Sequence, residues 1–363
     1  MKRKCFAIVI ILLFVGTCTI PSIPSKQMHE KTIITVDDEP GDADFTSIKE
    51  ALNASSPGDT IEVYSGTYYE QGIRIVKDNI TLLGVSHELG DGDDSGQPFV
   101  RGDGSALVIH VEESHVAVSN LFIENQRTGE SSSHSCMSVG NTTIGIGEPE
   151  RNNITIANCS ISNGGMIIGD VGKNIMIIDN EIRDGGYGIS TVTVTHKYWM
   201  TSTIRGNVIT DCNNVGILFD RTGHNISGNT IKRCGRGIEI YPPGCRNTIY
   251  GNDIENCPIG VMITSEYGEN TIIKNNFKNY SQLKSWFQRS VYLSFWGLII
   301  YFSANNKDQW KDNYWDTWNG IGSKKILGTL TIQRYFYIFP IELTIPLIYR
   351  DNTPAQEPYD ING

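Results

Sequence analysis

The tripeptide Asn-x-Ile returns through the middle of the chain at an interval too long for one strand and too regular to ignore, and this periodicity constrains the fold most. It stands at Asn180-Glu181-Ile182, Asn207-Val208-Ile209, Asn229-Thr230-Ile231 and Asn252-Asp253-Ile254, with Asn275-Asn276-Phe277 as a fifth copy. Successive asparagines lie 27, 22, 23 and 23 residues apart, each preceded three positions earlier by Ile177, Ile204, Ile226, Ile249 or Ile272. Gly188, Gly216, Gly237 and Gly260 follow the first four, leading into Ile189, Ile217, Ile238 and Val261. Such a period holds about two or three short strands, one winding of a parallel β-helix in which each coil hydrogen-bonds the next. Equivalent residues then stack. The isoleucines fill the interior, the asparagines satisfy the bend amides of their neighbours in a ladder, and the glycines supply the conformation the next bend needs. A leucine-rich repeat has a similar period, but its Leu pattern is absent.

Looser coils precede these. Val118 with Ile123, and Ile156 with Ile161, keep the spacing, with Leu121 and Cys159 at the ladder position. Near the start, Ile34 to Val36 reads as a strand, and Phe45, Ile48 and Leu52 share one face of a short helix. That helix would cover the open end of the solenoid, whose unpaired backbone would otherwise template aggregation. After Asn279 the repeat stops and Trp286, Trp296, Tyr301, Phe302, Trp310, Trp315 and Trp318 crowd in. The apolar run from Val291 to Phe302 is too short to span a bilayer. These aromatics either cap the last coil or offer sugar-stacking platforms. The expected class is therefore all-β: a single-stranded right-handed parallel β-helix over residues 28–283, with an N-terminal capping helix and an aromatic-rich C-terminal cap over 284–363.

The 363 residues carry a formal charge of −10, without a basic stripe, which disfavours nucleic acid as a partner. Lys2, Arg3 and Lys4 precede an apolar stretch from Phe6 to Val15, then small and polar residues, the pattern of a signal peptide over residues 1–27. The expected location is secreted or cell-surface, the expected state a monomer with no membrane span beyond the leader. Outside the leader lie Cys136, Cys159, Cys212, Cys234, Cys245 and Cys257. Cys212, Cys234 and Cys257 each stand five residues after a ladder Asn, so they form a column at about 4.8 Å spacing. That column is open to a disulfide or to small thiols filling a bend.

The opening residues Asp44-Phe45-Thr46-Ser47-Ile48, Gly58-Asp59-Thr60-Ile61, Gly66-Thr67-Tyr68 and Ile80-Thr81-Leu82-Leu83-Gly84 resemble the start of pectin-lyase-like β-helix proteins. The Asn-x-Ile coils, and a tail with Asn313-Tyr314-Trp315-Asp316-Thr317-Trp318, are similar to the NosD-like family of exported prokaryotic repeat proteins. The resemblance spans residues 32–279 and the tail. It implies an association with polysaccharide, as a lyase, a hydrolase or a binder, or a role in maturing a copper site. The polygalacturonase-like set of Asn-Thr-Asp, Asp-Asp, Gly-His-Gly and Arg-Ile-Lys is missing, as is the epimerase-like Asp-Pro-His-Glu. His87, His110, His115, His134, His196 and His224 show no paired spacing of the kind copper ligation favours.

Strand alternation with Ile217, Phe219, Ile238 and Ile240 inward turns Leu218, Asp220, Glu239, Tyr241 and Met262 outward. Asp220 and Glu239 are then diagonal neighbours about 8 Å apart, a separation suited to inverting glycoside hydrolysis. Arg221 and His224 follow in the next loop and, with Tyr241, would contact substrate; a solvated rung explains the same residues. The 27-residue interval places an insertion carrying His196, Tyr198 and Trp199, suited to carbohydrate contact or to packing on the helix. Asp91, Asp93 and Ser95 offer hard oxygens at alternating positions, either a calcium loop or an acidic turn, since no Glu stands at the twelfth position. No cofactor is required by this reading, and calcium is the one ion it suggests.

Overall fold

In the computed structural model the described residues are 31–90, 92–126, 135–139, 151–169, 172–191, 201–241, 244–263, 268–278, 286–293, 308–316, 318–336 and 339–361, with the backbone alone for 286–293, 326–336 and 339–349. The expected leader lies outside them. Three parallel sheets of eleven, ten and eight strands form the body of the fold. Each winding contributes one strand to each sheet in turn: Ser202–Arg205, Val208–Thr210 and Val215–Phe219 make one coil, and Asn225–Ser227 begins the next. The result is the expected right-handed parallel β-helix.

Register puts equivalent side chains in columns. Ile177, Ile204, Ile226, Ile249 and Ile272 stack in the first sheet. Ile161, Ile182, Ile209, Ile231, Ile254 and Phe277 stack in the second, and Ile189, Ile217, Ile238 and Val261 in the third. All are buried, each contributing on the order of 2 kcal/mol of apolar burial. The repeat resumes after its last readable Asn: Gln309–Lys311 and Tyr314–Trp315 add strands to the first two sheets. Trp310 and Trp315 thus take over the isoleucine columns; Trp315 stacks on Phe277 with ring centroids 4.4 Å apart, and Trp310 packs tilted against both. These two tryptophans are core rather than platforms. A further three-stranded sheet, Trp286–Leu293, Lys324–Phe336 and Phe339–Asp351, joins one parallel and one antiparallel pair.

The asparagine ladder is continuous. The backbone N–H and Nδ2 of Asn180 donate to Oδ1 of Asn207 at 3.0 Å each, and the pattern repeats through Asn229, Asn252, Asn275 and Asn313. Cys159 enters it by donating its N–H to Asn180. It ends on Asp351, which accepts from Asn313 N, Asn313 Nδ2 and Trp315 Nε1. A second ladder, not read from the sequence, runs from the backbone N–H of His224 through Asn247 and Asn270 to Asp308.

The glycines have a different cause from the one expected. Gly188, Gly216 and Gly237 do not adopt positive φ; they are needed because the next coil lies against them. A Cβ on Gly216 would stand 2.6 Å from Ile231 Cγ2 and 2.8 Å from the Gly237 carbonyl. The capping helix is present at Ile48–Ala54 with Ile48, Ala51 and Leu52 buried and Ser47 as its N-cap. Phe45 lies before it, bridged to Val36. Cys212, Cys234 and Cys257 are buried free thiols.

Candidate functional site

The strands Val215–Phe219 and Arg236–Ile240 pair with Leu218 opposite Glu239 and Phe219 opposite Ile240, so Asp220 lies diagonally beyond Glu239. Ile217, Phe219, Ile238 and Ile240 point into the core as the alternation predicts. The outward row is nevertheless withdrawn from solvent: Asp220 and Glu239 are each 6% exposed. Glu239 accepts from Arg236 at 2.9 Å, and Asp220 lies 3.9 Å from its neighbour Arg221. Two buried, cation-paired carboxylates are not presented to a polymer. His224 is buried, with Nδ1 2.7 Å from Ser202 Oγ and Nε2 2.7 Å from the Asp220 carbonyl. Burial pulls its imidazole down to about 4, leaving it neutral at ordinary pH. Tyr241 alone of the group is open, at 56% exposure. His196, Tyr198 and Trp199 lie outside the described residues, as does Asp91; Asp93 and Ser95 are exposed, and Ser95 bridges back to His87.

A different concavity opens at the bend between the first and second sheets. Three consecutive windings carry glycine immediately before the ladder Asn: Gly206, Gly228 and Gly251, with φ of 69°, 62° and 61°. Adjacent windings carry Asp179 and Lys274 at the same left-handed position. Side chains are thus missing from three rungs, and a groove of about 630 Å³ results, bordered by Arg205, Tyr250, Lys274 and Tyr359. The Tyr250 ring is 44% exposed, and Lys274 Nζ lies 6.0 Å from its centroid. Tyr359 closes the far side, where Asn276 and Tyr359 exchange two 2.8 Å hydrogen bonds and the Tyr359 hydroxyl donates to the Asp312 carbonyl. Among the described residues neither Arg205 nor Lys274 forms an ion pair. The Gly-Asn dipeptides at 206, 228 and 251 were the signal in the sequence, but only if the residue before each Asn is read as a column of its own.

Fold and ladders together define a repeat protein of the pectin-lyase-like β-helix class. Residues 105–320 match the family described as periplasmic copper-binding protein (NosD), and the chain belongs to that family. No curated protein is detectably similar in sequence. Among solved structures the chain is similar to XylC in complex with xylose at 13% identity and TM-score 0.43, covering 71% of this chain and 65% of XylC. It is also similar to the Yersinia enterocolitica family 28 exopolygalacturonase, at 11% identity and TM-score 0.42, with coverage of 72% and 71%. A mannuronic acid specific polysaccharide family 6 lyase from human gut microbiota is similar at 14% identity and TM-score 0.41, with coverage of 73% and 69%.

The family description raises copper, which prefers imidazole and sulfur donors. His224 has both ring nitrogens engaged, while His110 and His115 face Glu112 and Asp78. Burial pushes the Cys136 thiol up to about 12 and the Cys159 thiol up to about 11, far from the thiolate a metal needs. Among the described residues every three-donor cluster is made of carboxylates. The described histidines do not fit copper, and the stacked Cys212, Cys234 and Cys257 thiols do not converge on one point as a three-donor set.

Proposed function

We propose that the protein is an exported, glycan-associated β-helix that binds rather than cleaves, holding a polysaccharide segment along the glycine-floored groove. The reading rests on the exposed Tyr250 ring standing beside Lys274 and Arg205 in an elongated concavity of ligand size. An aromatic face stacks on the apolar face of a pyranose, and Arg205 and Lys274, set among the Asp179 and Asp360 carboxylates of the same lining, offer donors and acceptors to sugar hydroxyls and carboxylates. The axial stacking of windings gives the groove the linear form a polymer needs. The family's periplasmic description and the basic-apolar leader pattern support export. The burial of Asp220 and Glu239 speaks for binding over hydrolysis. A glycan array with a pull-down on uronate-rich and neutral cell-wall polymers is the direct test. Binding is expected to fall at least about tenfold in Tyr250→Ala and in Lys274→Ala, the loss expected from one stacking or charged contact. No retention on any glycan, or retention unchanged by both substitutions, would overturn the reading; release of sugar from the bound polymer would favour an enzyme instead.

A further inference from the structure

At the N-terminal end of the solenoid the chain gathers carboxylates from two windings. Asp37 follows the first strand, Ile33–Val36, and its N–H donates to the Phe45 carbonyl as residues 38–44 fold back. Glu88 lies in the loop after Thr81–Gly84, a strand two rungs further along the same sheet. That loop doubles on itself through the bridge between His87 and Ser95, which brings Asp94 close as well. Carboxylate oxygens of Asp37, Glu39 and Glu88 lie within 4.8 Å of one another, and those of Asp38, Glu39 and Asp94 do likewise.

Acidic surface clusters are common and mean little alone. This one has an interior member. Asp37 is 0% exposed, and neither of its carboxylate oxygens accepts a hydrogen bond; Glu88 Oε2 is equally buried and unpartnered. The other Glu88 oxygen accepts from Leu89 N at 3.1 Å, and Asp38 Oδ2 accepts from Thr67 N at 2.9 Å, so both chains are held in place. Among the described residues no lysine, arginine or histidine pairs with any of the five. A buried carboxylate with no donor and no counter-charge is costly to fold around unless something positive completes it. The field is felt nearby: burial first, then the neighbouring Glu88, raises the Asp37 carboxyl to about 6, and the same charges add to the burial that raises the Tyr68 phenol.

We propose that Asp37, Glu39 and Glu88 bind a calcium-class divalent cation that staples the first winding to the third at the capped end of the helix. All-oxygen ligation by flexible carboxylates is what calcium accepts, whereas magnesium demands a near-ideal octahedron and copper prefers nitrogen and sulfur. The loop residues Asp93 and Ser95 are not ligands in this assignment; Asp94 joins through its charge beside Asp38.

The test is thermal unfolding of the full chain after chelation, with and without about 10 mM calcium, a concentration well above the dissociation constants of typical extracellular sites. Calcium is expected to raise the midpoint by about 5 °C. Asp37→Asn removes the unpaired buried charge, so it should melt above wild type in chelator and show no calcium increment; Glu88→Gln should also lose the increment. A wild-type midpoint indifferent to calcium would overturn the proposal and leave a shared proton between the carboxyls. So would an increment retained in Asp37→Asn, or an equal lowering of the midpoint with and without calcium. A rise of equal size from magnesium at the same concentration would overturn the calcium assignment.

Discussion

At the scale of single residues, asparagine suits a stacked bend because a short side chain supplies an acceptor to one neighbour and donors to others. Removing one rung strands several partners at once. Asn229→Ala would leave Asn207 N and Nδ2 without their acceptor and the Ile204 carbonyl without its donor, all buried. The expected loss is about 3 kcal/mol, read by denaturant unfolding. His224 occupies the same kind of position in the second ladder, through its backbone N–H. Its imidazole contacts Ser202, the Asp220 carbonyl and the Phe219 ring, with the Asp220 and Arg221 charges beside it. Its pKa falls from 6.5 in the open chain to about 4 when folded, so the unfolded chain takes the proton first as pH drops. Its contribution is therefore intact above about 6.5, declines toward about 4 and then levels, a span of about 3 kcal/mol. His224→Asn, which substitutes the residue used elsewhere in that ladder, should fold and should remove this difference in pH-dependent unfolding.

At the scale of elements, the capping helix is gripped at both ends by the second winding, the one that follows it in the chain. Glu70 accepts from Ile48 N at 2.8 Å and Lys49 N at 3.1 Å, while Lys77 Nζ donates to the carbonyls of Leu52, Asn53 and Ser55. Each charge meets the helix end of opposite polarity. Lys77→Met should cost about 2 kcal/mol and raise amide exchange within Ile48–Ala54 before the coils exchange. The helix itself was readable from Ile48 and Leu52, because one-sided burial imposes its period on the sequence. Its clamp was not, since Glu70 and Lys77 are ordinary surface letters until the winding brings them round. The core columns were legible for the same reason as the helix. The glycine column was legible in position but not in cause, because contact between coils leaves no mark separate from turn chemistry.

At the scale of the whole molecule, the candidate site was less legible than the fold. Asp220 and Glu239 follow the outward alternation, yet orientation away from the core did not mean exposure. The groove arises from what three rungs lack, and a search for catalytic side chains passes over Gly206, Gly228 and Gly251. The carboxylates at the other end come from residues about 50 positions apart, joined only by the register of the first sheet. Family membership carries a copper description that these donors do not match, so family and site need separate tests.

Both amide columns also carry a direction. Every rung gives its backbone N–H, and each asparagine one Nδ2 hydrogen, to the rung on its C-terminal side, and the final places belong to Asp351 and Asp308, whose carboxylates have no hydrogen to pass on. A duplicated repeat spliced between Asn229 and Asn252 would find complementary faces above and below. The same unit added past either aspartate would press an amide oxygen against a carboxylate, so lengthening of this scaffold is open in its middle and closed at its foot.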